Sequence, residues 1–208
     1  MLCLEEMGKL KHIIINKKNT QLIINHIKNL QNQMEQMNQN IKQININNNI
    51  INKEIKYKDG RYVGQVVNGL REGKGIEYYN VGDRYEGDFR NDAKEGKGIY
   101  YYNNGERYEG DFRNNQPEGK GIYYYNKEPF KGDIHEGDYR NDKKEGKGIY
   151  YYHDGDRYEG DFRNDKREGK GIYYYNNGNR EMGDFHNGKP IGKFVMLTKN
   201  GEVKINNY

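Results

Sequence analysis

The sequence predicts a mainly β protein: an elongated, single-layer antiparallel sheet of stacked hairpins, preceded by an N-terminal α-helix. Three observations carry this. A 23-residue phrase recurs from residue 62 almost to the C-terminal end, and a period of that size marks a repeat architecture built from one supersecondary unit per copy. Within each copy, apolar or small residues alternate with charged ones, which is the period-two signature of a strand. Ahead of the copies, apolar residues recur at three- and four-residue intervals, as on one face of a helix. Composition agrees. Among 208 residues, 33% are hydrophobic and 32% charged, with 27 glycines, 21 tyrosines, no tryptophan and no serine. That inventory cannot fill a thick aliphatic core, so tyrosine and glycine must carry the packing.

The first domain is expected over 1–56, with a helix across 20–44. Ile23, Ile27, Leu30, Met34, Met37, Ile41 and Ile44 are spaced 4-3-4-3-4-3, a heptad seam of the coiled-coil kind. The register continues through Asn48 at an a-type position to Ile51 and Ile55, and a buried Asn there favours a two-stranded state. The flanking sites are mostly Gln and Asn, and 44–50 alternates with period two. Two arrangements stay open: self-association through this seam, or a single amphipathic helix folded back over one end of the repeats.

The second domain is expected over 57–208, with copies starting at Tyr62, Tyr85, Tyr108, His135, Tyr158 and Glu181. Tyr57 to Arg61 reads as the tail of a truncated earlier copy. In the second copy, Tyr85-Glu86-Gly87-Asp88-Phe89 predicts a strand, NDAKEG a turn, Gly98 to Tyr102 a second strand, and Asn104-Gly105 the connector. Gly87, Gly110, Gly137, Gly160 and Gly183 lie between aromatic positions, where a neighbouring tyrosine can rest on the backbone, and Gly96 and Gly98 allow a bend into the second strand. The third copy is lengthened by KEPFKGDI at 127–134. The last is degenerate, with Phe194-Val195-Met196-Leu197 in place of Gly-Ile-Tyr-Tyr, as expected of a capping unit.

The pattern Y-E-G-D-F-x-N-x-x-x-x-G-K-G-I-Y-Y-Y-x-x-G over about 57–203 resembles the MORN repeat. It departs in the fourth copy (His135 for Tyr, Tyr139 for Phe), at 127–134 and in the last copy. The resemblance implies a twisted antiparallel sheet with a groove lined by aromatics and glycines. It also implies scaffolding in cytoskeletal, ciliary or membrane-junction assemblies, and phosphoinositide binding.

The remaining residues argue against catalysis. GKG recurs at each turn without the Ser or Thr that a P-loop needs for magnesium, and Asp154-Gly155-Asp156 lacks the glycine required at position six of a calcium loop. His12, His26, His135, His153 and His186 do not cluster at metal-ligand spacing. No enzyme, catalytic residue, cofactor or metal is expected. Cys3 is the single cysteine, and the first residues read as neither secretory signal nor membrane span, so a reduced, intracellular protein is expected. Its setting would be the cytoplasm or cytoskeleton, and from the resemblance the cilium. Residues 1–56 carry eight bases and four acids, and the remainder 27 of each. The neutral repeats argue against nucleic acid as a partner.

Two surfaces are then candidates. Tyr62, Tyr85, Tyr108 and Tyr158 on first strands, with Tyr101, Tyr124, Tyr151 and Tyr174 on second strands, could line a groove that grips a protein partner. Alternatively, Lys97, Lys120, Lys147 and Lys170 form a row able to meet a phosphoinositide membrane, although Glu95, Glu118, Glu145 and Glu168 sit two residues before them.

Overall fold

The computed structural model describes residues 2–47 and 50–208, with side chains over 20–43 and 50–208. It divides into two units, 1–50 and 51–208. The first unit is one helix, α1 (Leu2–Asn47). Six seam residues from Ile23 to Ile41 are 46–62% exposed. The side chain of Ile44, and Asn48 altogether, lie outside the described residues.

The second unit is a sheet of fourteen antiparallel strands in sequence order. Its strands are β1 (Ile51–Tyr57), β2 (Gly60–Val67), β3 (Leu70–Tyr79), β4 (Arg84–Arg90), β5 (Ala93–Tyr101), β6 (Arg107–Arg113) and β7 (Gln116–Tyr124). They continue as β8 (Ile134–Arg140), β9 (Lys143–Tyr151), β10 (Arg157–Arg163), β11 (Lys166–Tyr174), β12 (Arg180–His186), β13 (Lys189–Leu197) and β14 (Val203–Asn207). At about 4.8 Å per strand the sheet extends about 60 Å across its strands.

The sheet starts earlier than expected. Ile51 and Ile55 do not continue a helical seam. They lie on β1, which pairs residue for residue with β2 from Ile51↔Val66 to Tyr57↔Gly60. INKEIKY alternates in period two, and Ile55 packs on the aromatic cluster around Tyr62. The earlier copy whose tail was legible at Tyr57 therefore supplies its whole second strand.

The turn is shorter than the NDAKEG reading. Only Asn91 and Asp92 turn, with φ of 48° and 66°, the doubly positive geometry of a two-residue hairpin loop that Asn and Asp tolerate. Asn114-Asn115, Asn141-Asp142 and Asn164-Asp165 repeat it. Ala93 to Gly98 already belongs to β5, and the irregularity is a bulge. Gly87 faces Gly98 but Phe89 faces Lys94, so the extra β5 residues bunch around Gly96, whose φ is +76°. The Asp88 carboxylate accepts the Lys97 N–H at 3.2 Å and fixes the bulge.

One face of the sheet holds the aromatic layer. Tyr85 crosses to Gly98 of the next strand, where a Cβ would meet its ring at 2.5 Å, and its hydroxyl donates to the Asp88 carbonyl at 3.0 Å. Tyr62, Tyr108 and Tyr158 do the same on Gln65, Asp111 and Asp161. Edge-to-face contacts at 4.8–5.3 Å between ring centroids link Tyr62, Phe89, Tyr85, Phe112, Tyr108, Tyr139, His135, Phe162, Tyr158, Phe185, Phe194 and Tyr208 into one chain of rings. Such pairs add about 0.5–1.5 kcal/mol each beyond area burial.

The two irregular copies compensate in place. His135 cannot reach the Asp138 carbonyl as a tyrosine would. Instead its Nδ1 lies 2.7 Å from the hydroxyl of Tyr139, which stands where other copies carry Phe. In the last copy Glu181 replaces the tyrosine, and Phe194 replaces the glycine it would cross. The Phe194 ring lies against Gly183, filling the same space from the opposite strand.

Candidate functional site

The other face carries an open groove of about 1640 Å³ that crosses the sheet from Lys74 on β3 to Lys193 on β13. Strand parity decides what lines it. On a first strand Arg84, Glu86 and Asp88 stand on the groove's face, and on a second strand Lys97, Ile99 and Tyr101 do, with Glu86, Lys97 and Ile99 in its lining, while Tyr85, Phe89 and Tyr100 point to the aromatic face. Repetition turns these positions into three rows perpendicular to the strands.

The middle row alternates apolar and acidic. In register it runs Ile76, Glu86, Ile99, Glu109, Ile122, Glu136, Ile149, Glu159, Ile172 and Met182. The second row alternates lysine and aspartate. Lys97, Lys120 and Lys147 each bridge to the aspartate of the following copy, Asp111, Asp138 and Asp161, at 2.6 Å, and Lys170 reaches Asp184 at 3.6 Å. The third row stacks arginine on tyrosine. Arg61, Arg84, Arg107 and Arg157 lie 4.0–4.2 Å over the rings of Tyr78, Tyr101, Tyr124 and Tyr174. Arg84, Arg107 and Arg157 also reach Glu86, Glu109 and Glu159 at 3.6–3.8 Å.

The eight candidate tyrosines therefore separate into two sets. Tyr62, Tyr85, Tyr108 and Tyr158 are 0% exposed in the ring layer and offer a partner no surface. Burial pushes the Tyr62 hydroxyl up to about 12 and those of Tyr85, Tyr108 and Tyr158 well above the usual phenol value. Tyr101, Tyr124, Tyr151 and Tyr174 lie on the groove's face of the sheet, beside its lining, and all but Tyr151 carry a guanidinium. The four lysines form the row expected of them, exposed yet each paired with a carboxylate. The arginine row and the Ile/Glu row were not anticipated. Their signal was present: Arg precedes the tyrosine in RYEGDF, and Ile follows each GKG.

Buried charge sits outside the groove. Glu77 takes a position held by tyrosine in later copies. It accepts from the Tyr57 hydroxyl at 2.6 Å and from Tyr79, and pairs with Arg71 and Lys94. Hydrogen bonds and these two cations hold its carboxyl below the usual range despite burial. Every one of its partners is a structural side chain of the array's first turns. Among the described residues, no group of three or more His, Cys, Asp or Glu side chains is placed to hold a metal ion. No helix among them is long and apolar enough to cross a membrane.

The MORN repeat family matches at 62–84, 85–107, 108–127, 135–157 and 158–180. No curated protein matches the chain. Among solved structures, the TCP domain of SAS-4 (dCPAP) of Drosophila melanogaster, in complex with a proline-rich motif of Ana2 (dSTIL), is similar at 17% identity. The match covers 76% of this chain and 90% of that one, with a TM-score of 0.45. The TCP10 domain of Danio rerio CPAP, in complex with a STIL peptide, is 16% identical over 76% of this chain and 84% of that one, with a TM-score of 0.29. Five consecutive matches in register with the hairpins make the conclusion direct: this chain belongs to the MORN repeat family.

Proposed function

We propose that this chain is a non-catalytic scaffold that binds protein partners along the groove, in a cytoskeletal or ciliary assembly. The observation that carries the reading is the middle row. Half-buried isoleucines alternate there with exposed glutamates across nine strands, β3 to β11, which provides apolar contact and polar selectivity in one track. The setting follows the family resemblance. The exposed seam from Ile23 to Ile41 supplies a second contact, through which the chain self-associates.

A phosphoinositide surface fits the lysine row less well. Each lysine already has a carboxylate partner, so a phosphate must compete with an ion pair in place.

A photoreactive residue at Ile99 or Ile149 in the native cell tests the groove. It should crosslink discrete proteins that the same residue at exposed Leu70, outside the groove, does not. Equal crosslinking from all three positions, together with pelleting on phosphatidylinositol 4,5-bisphosphate vesicles, would replace the reading with the lipid one. Multi-angle light scattering tests self-association: Ile27→Asp with Met34→Asp should halve the mass, and an unchanged monomer in both forms refutes it. A tagged chain that stays in the detergent-insoluble cytoskeletal fraction supports the setting, and full extraction opposes it.

A further inference from the structure

Between the array's first and last copies, the groove's repetition fails in the fourth. There the residue before the strand-one ring is Ile134 instead of arginine, and two features of the other copies disappear together. Tyr151, which faces Ile134 across the hairpin, carries no stacked guanidinium. Glu136, which an arginine two residues earlier would neutralise, has no ion pair or hydrogen bond among the described residues. The corresponding Glu86, Glu109 and Glu159 are all paired. Glu136 is exposed, and its cross-strand neighbours are Ile122 and Ile149. Beside them lie Tyr124, Ile134 and Tyr151, contiguous in the third row. The middle of the groove is thus a free carboxylate with isoleucine on both neighbouring strands and Tyr124, Ile134 and Tyr151 along one side, Tyr124 carrying Arg107, and the Lys120–Asp138 pair along the other.

We infer that this position is the anchor subsite of the groove, and that it takes a helical segment of a partner protein bearing one lysine or arginine between two apolar side chains. The inference rests on the scaffold reading above. Charge complementarity selects the basic residue, since an acid without a partner in a partly apolar setting gains most from an incoming cation. Spacing selects the helix. Ile122 and Ile149 are two strands apart, about 9.6 Å, with Glu136 midway. A helix laid along the groove places residues i and i+7 about 10.5 Å apart, with i+3 or i+4 between them. An extended segment repeats on one face every 6.8 Å or so and meets neither spacing.

The test uses the full chain and two fluorescein-labelled, alanine-based helical peptides. One carries Leu at i and i+7 with Lys at i+3, and the other has Glu in place of that Lys. By fluorescence anisotropy the lysine peptide should bind at least tenfold tighter than the glutamate peptide. Glu136→Lys should reverse the preference, while Glu109→Gln, at an acid already occupied by Arg107, should leave it within twofold. Because Glu136 is exposed, both variants should keep the wild-type circular dichroism spectrum. A preference unchanged by Glu136→Lys, one lost equally in Glu109→Gln, or failure of the lysine peptide to bind overturns the inference. Pelleting on phosphatidylinositol 4,5-bisphosphate vesicles without peptide binding overturns it in favour of lipid. If groove crosslinks at Ile99 persist while the peptide result fails, the subsite is wrong and the scaffold reading stands. If both fail, the scaffold reading fails with it.

Discussion

His135 makes the fourth copy the acid-sensitive point of the array. The ring is 0% exposed, its Nδ1 is engaged by Tyr139, and its Nε2 is buried without a hydrogen-bond partner. Burial, reinforced by the Lys144 charge, pushes its pKa from 6.5 down to about 3. A base with a depressed pKa binds protons more readily in the unfolded chain, so its contribution is intact above pH 6.5 and is lost as pH falls from there towards 3. Between pH 7 and 4.5 that loss amounts to about 2.5 kcal/mol. The perturbation is the double change His135→Tyr with Tyr139→Phe, which rebuilds the ring pair of the second copy over Gly148. Urea unfolding followed by tyrosine fluorescence, at pH 7 and at pH 4.5, gives the stability of both proteins. Carboxylate titration is common to the two and cancels in their difference. The variant's advantage should grow by about 2.5 kcal/mol on acidification. An advantage that changes by less than about 0.5 kcal/mol would refute a neutral, buried imidazole here.

Four further outcomes follow from the packing. Gly98→Ala places a Cβ 2.4 Å from the Tyr85 hydroxyl and 2.5 Å from its ring, so thermal unfolding should show a loss of about 1–3 kcal/mol. Gly188→Asn, at an open position with φ of +83°, should be nearly neutral in the same scan. Glu77→Gln leaves Arg71 and Lys94 without their shared anion, and should cost about 3 kcal/mol in urea titration. Phe194→Gly should cost about 3–5 kcal/mol, and adding Glu181→Tyr should recover much of it, because the ring is returned from the other strand. A double-mutant cycle with no coupling would contradict that exchange.

Much of the fold was legible because two periods coincide, 23 for the copy and two within it. The hairpin row, the tyrosine crossing a glycine and the altered last copy all follow from those periods. The turn was misjudged because NDAKEG is mostly polar and ends on glycine, whereas only Asn91-Asp92 forms the loop and the rest lies on β5, with the bulge at Gly96. The helical seam was extended too far because Ile51 and Ile55 fit a four-residue spacing as well as a two-residue one, and pairing with β2 decides between them. The candidate groove mixed two rows, since Tyr85 and Tyr101 look alike in a list but sit on opposite faces once parity is carried through the bulge. Ile134 was visible as a departure, but its meaning depended on knowing that Arg84, Arg107 and Arg157 each serve both a ring and a carboxylate.

The bridges from Lys97 to Asp111 and from Lys120 to Asp138 cross the boundary between one copy and the next. Such a seam is indifferent to which copy follows. Excising 85–107 in frame would bring Lys74 opposite Asp111, the same pair of groups as Lys74 and Asp88, so that this row closes again on a track two strands shorter. Copy number in this chain is thus a length setting that duplication and deletion can change, while the fourth copy, which has no equivalent, fixes where along that length the distinctive position falls.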